Sequence, residues 1–143
     1  MIGRSESIFL ETYVPQAEPD GALLARWSRL RELRDAVNLG IEALRAQGLV
    51  GSSLQAEITL TANAEDHRLL SSLGDDLKFV FIASAVTLVP GNELTVSVNA
   101  SPAVKCERCW HYRQDVGADA AHPTLCTRCT SNLFGAGEHR VFA

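Results

Sequence analysis

The longest helical pattern in the chain begins after Asp20 and ends before Gly48. Apolar residues recur there every three or four positions, while arginines and acidic residues occupy the positions between them. The apolar stripe consists of Leu23, Trp27, Leu30, Leu33, Val37, Ile41 and Leu44. The spacing predicts one long amphipathic helix, with Asp20 as the N-cap and Gly48 at the C′ position. A helix with one apolar stripe needs a surface to cover it.

Shorter patterns follow this helix. Three segments rich in alternating or β-branched apolar residues predict strands, at residues 54–60, 85–89 and 94–98. Asn63 can cap a short helix that runs through Leu73, and Asp75 and Asp76 open another one. Together these elements predict an α+β fold for residues 21–101, which we call the body. In it the long helix packs on a small sheet of about three strands.

The two ends of the chain differ from the body. Residues 1–20 are predicted to form an extended linker, because residues 5–13 lack helical spacing and residues 15–21 contain two prolines and a glycine. After a hinge at Ser101 and Pro102, residues 102–143 form a separate unit, which we call the cysteine module. The spacer from residue 92 to residue 101 is short, so this module is expected to lie close against the body.

Charge is distributed unevenly along the chain. Residues 1–104 hold 8 basic and 13 acidic side chains, a net charge of −5, whereas residues 105–143 hold 5 and 4, a net charge of +1. The body should therefore not attract a polyanion by its overall field, and any contact with nucleic acid would be local. The sequence contains no run of 18 apolar residues, so it predicts no membrane span. Nothing at the N-terminus resembles a signal peptide, and a cytoplasmic location is expected.

All four cysteines of the chain lie in the cysteine module, as two C-x2-C pairs separated by sixteen residues. They are Cys106, Cys109, Cys126 and Cys129. Two such pairs can surround one tetrahedral ion, and four thiolates are typical of structural zinc with no open position for a water molecule. A dithiol redox pair and two disulfides are alternatives, but the polar, turn-rich flanks disfavour the first and the N-terminus disfavours the second. Replacement of one cysteine ligand by His111 or His122 is a further alternative.

Aromatic and basic residues surround the cysteine pairs. They are Arg108, Trp110, His111, Tyr112, Arg113 and Arg128. Flat rings next to cations suit single-stranded RNA, in which unstacked bases need a planar partner and phosphates need a positive charge. The same side chains could instead cover the metal and balance the charge of its thiolates. The sequence contains no Gly-rich phosphate loop, nucleophile elbow or metalloprotease helix, so catalysis is not predicted.

The cysteine module closely resembles the C-terminal zinc-binding end of bacterial isoleucyl-tRNA synthetase. The matching segments are KCERCWHY at residues 105–112, DVG at 115–117, HP at 122–123, LCTRC at 125–129, SNL at 131–133 and GEHRVFA at 137–143. Residues 7–10, 27–48 and 51–56 resemble the segment that precedes this end in the family. The resemblance therefore covers nearly the whole chain.

The resemblance implies a C-terminal fragment of a large class I synthetase, an enzyme that activates isoleucine with ATP and transfers it to tRNA(Ile). The HIGH and KMSKS signatures of that enzyme are absent here, which implies that this fragment has no catalytic activity and that only the full-length enzyme needs ATP. The four cysteines are then ligands of one structural zinc ion, and the six aromatic and basic residues are candidates for RNA contact on the anticodon side.

The same resemblance implies a set of partners. These are tRNA(Ile) and the catalytic, editing and helical anticodon-binding domains of the same polypeptide, with residues 1–20 as the linker from the last of these. The full-length enzyme is expected to be monomeric. Without the helical domain, the stripe of the long helix is expected to leave an apolar surface exposed. An alternative from another class is a self-standing zinc ribbon that binds protein or nucleic acid.

Overall fold

The computed structural model describes residues 7–10 and 17–138. At the predicted linker, Ile8–Leu10 forms one turn of 3-10 helix rather than extended backbone. The carbonyl of Ser7 accepts a hydrogen bond from the Leu10 N–H (3.0 Å), and its hydroxyl accepts one from the Phe9 N–H (3.3 Å). A serine side chain can thus replace extended backbone by a local turn. Most of the remaining linker prediction lies outside the described residues.

The long helix, α1, spans Gly21–Ala46 and confirms the prediction from the apolar stripe. The Asp20 carboxylate accepts hydrogen bonds from the backbone N–H groups of Ala22 and Leu23 at its start. At its end, Gly48 has a φ of +71°, the left-handed conformation that glycine adopts at little cost. Four stripe residues are buried, namely Leu30, Leu33, Val37 and Ile41.

The first turns of α1 do not share this burial. Leu23 is 47% exposed and Trp27 is 38% exposed, although both belong to the predicted stripe. Only the later part of α1 is covered by the body. The expected apolar surface is therefore present at the N-terminal end of this helix.

A three-stranded sheet forms the centre of the body. Its strands are β1 (Ala56–Ala62), β2 (Ala85–Pro90) and β3 (Thr95–Ala100), in the order β2–β1–β3. β1 is antiparallel to β3 and parallel to β2, and a parallel pair needs a long crossover connection. Two helices supply it, α2 (Ala64–Ser71) and α3 (Leu77–Phe81). Along β1, buried residues alternate with half-buried ones, so one face of the sheet points to the core.

Helix α1 packs closely on β3. A Cβ atom at Gly40 would lie 2.8 Å from Cγ2 of Val98, so only glycine allows the helix to approach the strand this closely. Arg29 of α1 also pairs with Asp66 of α2 through Nε–Oδ1 and Nη2–Oδ2 distances of 2.8 and 2.7 Å. The hydrogen bonds from Arg29 lower the pKa of the buried Asp66 carboxyl. This pair connects the long helix to the crossover.

The cysteine module contains three short elements. Strands β4 (Val104–Lys105) and β5 (Tyr112–Arg113) pair in antiparallel fashion, and helix α4 spans Thr127–Phe134. The module contacts the body, as the short spacer predicts. The Tyr112 N–H donates a hydrogen bond to the Ser84 hydroxyl oxygen at 2.6 Å. Helix α4 and the first cysteine turn also contact α3. The guanidinium of Arg128, in α4, lies 4.9 Å from the centre of the Phe79 ring, in α3.

The α+β body followed by a cysteine module matches the predicted fold class. No helix within residues 7–10 and 17–138 is long and apolar enough to cross a lipid bilayer.

Candidate metal centre

The four cysteines meet at one point between β4, β5 and α4. All four Sγ atoms lie within 4.8 Å of one another, and those of Cys109 and Cys126 are 3.8 Å apart. Zinc–sulfur bonds of about 2.3 Å in a tetrahedron place neighbouring sulfur atoms about 3.8 Å apart. No disulfide joins any two of the four cysteines in this structure, which disfavours the disulfide alternative. The geometry fits one structural zinc ion.

The first cysteine pair lies in a tight turn between β4 and β5. The Cys106 carbonyl accepts a hydrogen bond from the Trp110 N–H, and the Cys106 N–H donates one to the His111 carbonyl, both at 2.9 Å. Trp110 closes the turn with a φ of +65°, a left-handed conformation that is uncommon for a bulky residue. The backbone therefore curls around the cysteine sulfur atoms, and the Trp110 side chain remains 59% exposed.

The second cysteine pair lies at the start of α4, and Asp115 joins it to β5. The Asp115 carboxylate accepts hydrogen bonds from the N–H and the hydroxyl of Thr127, the first residue of α4. It also pairs with Arg113 at 2.9 and 3.2 Å. The hydrogen bonds from Arg113 are the main reason that the pKa of Asp115 is lowered to about 2. This carboxylate thus holds the two halves of the metal centre together.

Burial and backbone hydrogen bonds shift the pKa values of the cysteine thiols in opposite directions. Burial by itself raises the pKa of Cys106, but the N–H groups of Cys109, Cys126 and Arg108 lower it to about 6. Burial raises the pKa of Cys109 to about 12 and also raises that of Cys126. A bound zinc ion would deprotonate such thiols outright. The Arg108 guanidinium donates a hydrogen bond to Cys129 Sγ at 3.6 Å, which offsets part of the negative charge of four thiolates.

Neither histidine considered as an alternative ligand belongs to the thiol cluster. His111 is only 8% exposed, and its Nδ1 donates to the Cys109 carbonyl at 3.1 Å. Its ring meets Phe79 edge-on with 5.6 Å between ring centres, and burial lowers its pKa. The ring of His122 instead stacks on Phe134, with 4.0 Å between ring centres.

The structure separates the six aromatic and basic candidates into three pairs. Trp110 and Arg108 lie at the surface, and the Lys105 Nζ is 5.1 Å from the centre of the Trp110 ring. His111 and Arg128 lie against the body instead. The Arg128 side chain is 15% exposed, with its Nε 3.6 Å from the Glu138 carboxylate.

The other two candidates lie between these groups. Tyr112 and Arg113 are half-buried, and Arg113 is held by Asp115.

Three further residues contribute to the site, although the sequence predicted no part in the site for them. They are Phe79, Ser84 and Asp115. Only Asp115 left a usable signal, because it follows Arg113 by two residues and an opposite charge at that distance can form a local ion pair. Phe79 and Ser84 act on residues more than 20 positions away. No local pattern marks such contacts.

Comparison with known proteins agrees with this geometry. Residues 105–132 match a family model described as a zinc finger found in FPG and IleRS. The chain is 52% identical over 97% of its length to the isoleucine–tRNA ligase of Ralstonia pickettii (strain 12J). It is 55% identical over 97% of its length to that of Paraburkholderia phytofirmans, and 52% identical over 96% to that of Bordetella pertussis.

The chain spans 15% of the length of each of these relatives. The identity extends well beyond the zinc finger, through the body and into the N-terminal residues. The chain is therefore homologous to the C-terminal region of isoleucine–tRNA ligases and carries the zinc finger found in FPG and IleRS.

Proposed function

We propose that this chain is the non-catalytic tRNA-recognition portion of an isoleucine–tRNA ligase and acts on the anticodon side of tRNA(Ile). The full-length enzyme would use ATP to activate isoleucine and charge the tRNA in the cytoplasm, with domains outside this chain performing both steps. Four thiolates leave zinc no open coordination position, so the metal would fix the shape of the cysteine module rather than activate a water molecule.

The observation that carries the proposal is the exposed ring of Trp110. At 59% exposure, much of the flat Trp110 ring is accessible to a partner. The ring is also held in place, because its Nε1–H donates to the Glu107 carbonyl at 3.1 Å and Lys105 lies against it. A fixed aromatic ring beside a cation offers stacking to an unpaired base and a charge to its phosphate.

The other candidates would contribute in different ways. Arg108, exposed beside the metal centre, would contact phosphates, and Tyr112 and Arg113 would lie next to the bound strand. His111 and Arg128 would act indirectly, because their contacts with Phe79 hold the cysteine module against the body. The acidic body would offer little counterion release, so binding by this chain alone would be weak.

The exchange Trp110→Ala tests the proposal. Stacking of a base on an aromatic side chain contributes about 1–3 kcal/mol, so the variant should bind tRNA(Ile) roughly 5- to 150-fold more weakly. Trp27→Ala is a matched control, since it removes the chain's other tryptophan, which lies on α1 of the body. Fluorescence anisotropy of labelled tRNA(Ile) measures both. Equal affinity of the Trp110 variant and the wild type would refute the proposed contact.

A further inference from the structure

A cleft of about 370 Å³ lies where the sheet of the body meets the cysteine module. Its walls include Glu57 from β1, Tyr112 and Arg113 from β5, and Gln114 and Asp115 from the turn that follows. This volume falls in the range of sites for small ligands, and such sites often form between two structural units. The cleft also lies near the proposed RNA surface, since Tyr112 follows Trp110 by two residues.

Two hydrogen-bonding groups in this cleft are available to a ligand. Glu57 lies on the sheet face opposite the core, and its Oε1 accepts a hydrogen bond from the Ser101 hydroxyl at 2.6 Å. Its Oε2 and the side-chain amide of Gln114 have no hydrogen-bond or ion-pair partner among the described residues. Both are partly or fully accessible. The cleft thus presents a carboxylate oxygen and an amide that can both donate and accept.

The charges in the cleft indicate which part of an RNA can enter it. Glu57 and Asp115 are acidic, and only Arg113 among the cleft residues is basic, so the formal net charge is −1. A phosphate would be repelled there, whereas a neutral group with N–H donors would be attracted. Arg113 is already paired with Asp115, and its planar guanidinium is held in one position. Guanidinium planes and tyrosine rings are surfaces on which unstacked bases lie.

We propose that this cleft binds one unpaired nucleobase of the bound RNA, with Glu57 and Gln114 recognising its edge. Guanine is the best match, because its neighbouring N1–H and N2–H groups can donate to a single carboxylate, and Oε1 of Glu57 keeps a second lone pair while it accepts from Ser101. Lys105 and Arg108 would contact the phosphates outside the cleft. This inference rests on the proposed RNA-binding function and adds a base preference to it.

Four labelled pentanucleotides, UUGUU, UUAUU, UUCUU and UUUUU, test the preference in the zinc-loaded chain. A bidentate contact to a base contributes about 1–3 kcal/mol of discrimination, so UUGUU should bind roughly fivefold or more tightly than the others. Glu57→Gln should abolish this preference. The exchange retains an oxygen that can accept from Ser101. Gln114→Ala should also reduce the preference for UUGUU over the other three oligonucleotides.

Glu42→Gln is the matched control, because Glu42 pairs with Arg45 on α1 and does not line the cleft. Equal binding of all four oligonucleotides to the wild type would overturn the inference, as would an unchanged preference in the Glu57 variant. If binding depends on Trp110 but shows no such preference, only the nucleobase cleft is wrong. If neither the oligonucleotides nor tRNA(Ile) bind, the proposed function is wrong as well.

Discussion

The body and the cysteine module are held together by different forces. In the body, 14 buried hydrophobic residues from α1, the crossover helices and the sheet form one core. In the cysteine module the buried cluster consists of Cys106, Cys126 and Cys129, with Cys109, Val116 and Leu125 packed against it. So small a cluster cannot offset the conformational entropy lost on folding. We therefore expect the module, but not the body, to need its metal in order to fold.

This difference also explains where the large aromatic residues lie. Phe81 is fully buried in the body, because a hydrophobic core needs such side chains to fill it. In the cysteine module, Trp110 is 59% exposed and Phe134 is 63% exposed, since the metal ligands replace the core as the source of order. A metal-held module can thus place rings at its surface. We infer that this freedom suits it to recognition.

Loss of the metal should have the largest effect. It should unfold the cysteine module and leave the body folded. Structural zinc contributes on the order of 10–16 kcal/mol to folding of small zinc modules, so Cys126→Ser or a strong chelator should unfold the cysteine module. The chain has two tryptophans, one in each region. In a Trp27→Phe background, the emission of Trp110 should change on chelation.

The control for this experiment is the reverse background, Trp110→Phe, in which the emission of Trp27 should stay constant. The helical circular dichroism from α1 should also persist. If the body unfolds together with the module, the two regions are one cooperative unit, and the metal does not stabilise the module alone.

A smaller effect is expected from the body's own core. Leu33 of α1 is fully buried, so Leu33→Ala should lower the free energy of unfolding of the body by about 2–5 kcal/mol. Leu39 on the same helix is 76% exposed, and Leu39→Ala should change the free energy of unfolding by less than about 0.5 kcal/mol. Urea titration followed by circular dichroism compares the two. Both variants should still bind one zinc ion per chain, and loss of zinc from folded Leu33→Ala protein would contradict the account.

Local signals in the sequence were sufficient for most of the elements. Helix α1 begins after Asp20 and ends before Gly48, as predicted, because caps act through hydrogen bonds to adjacent backbone. Asn63 likewise caps α2 by accepting from the N–H groups of Glu65 and Asp66. The first predicted strand was displaced, since residues 54–55 belong to a 3-10 turn and β1 begins at residue 56. The Leu54 carbonyl accepts a hydrogen bond from Ser84, a distant residue that the local pattern does not contain.

Long-range placement could not be predicted from the same signals. The alternation in β1 does not reveal that β2 pairs with it in parallel and β3 in antiparallel orientation. The cysteine spacing predicted the metal centre, because four ligands on two tight turns determine their own geometry. It did not predict that His111 would be buried against Phe79, or that Glu57 would face a cleft with Gln114. Those contacts depend on how the module docks on the body.

A titration of labelled tRNA(Ile) with the same chain in zinc-loaded and zinc-stripped form tests whether the metal-held module recognises tRNA. We expect the zinc-loaded chain to bind, the zinc-stripped chain to lose that binding, and binding to recover when zinc is restored. The helical signal of α1 should remain throughout. Equal affinity of the two forms would show that the metal-held module is not the recognition surface.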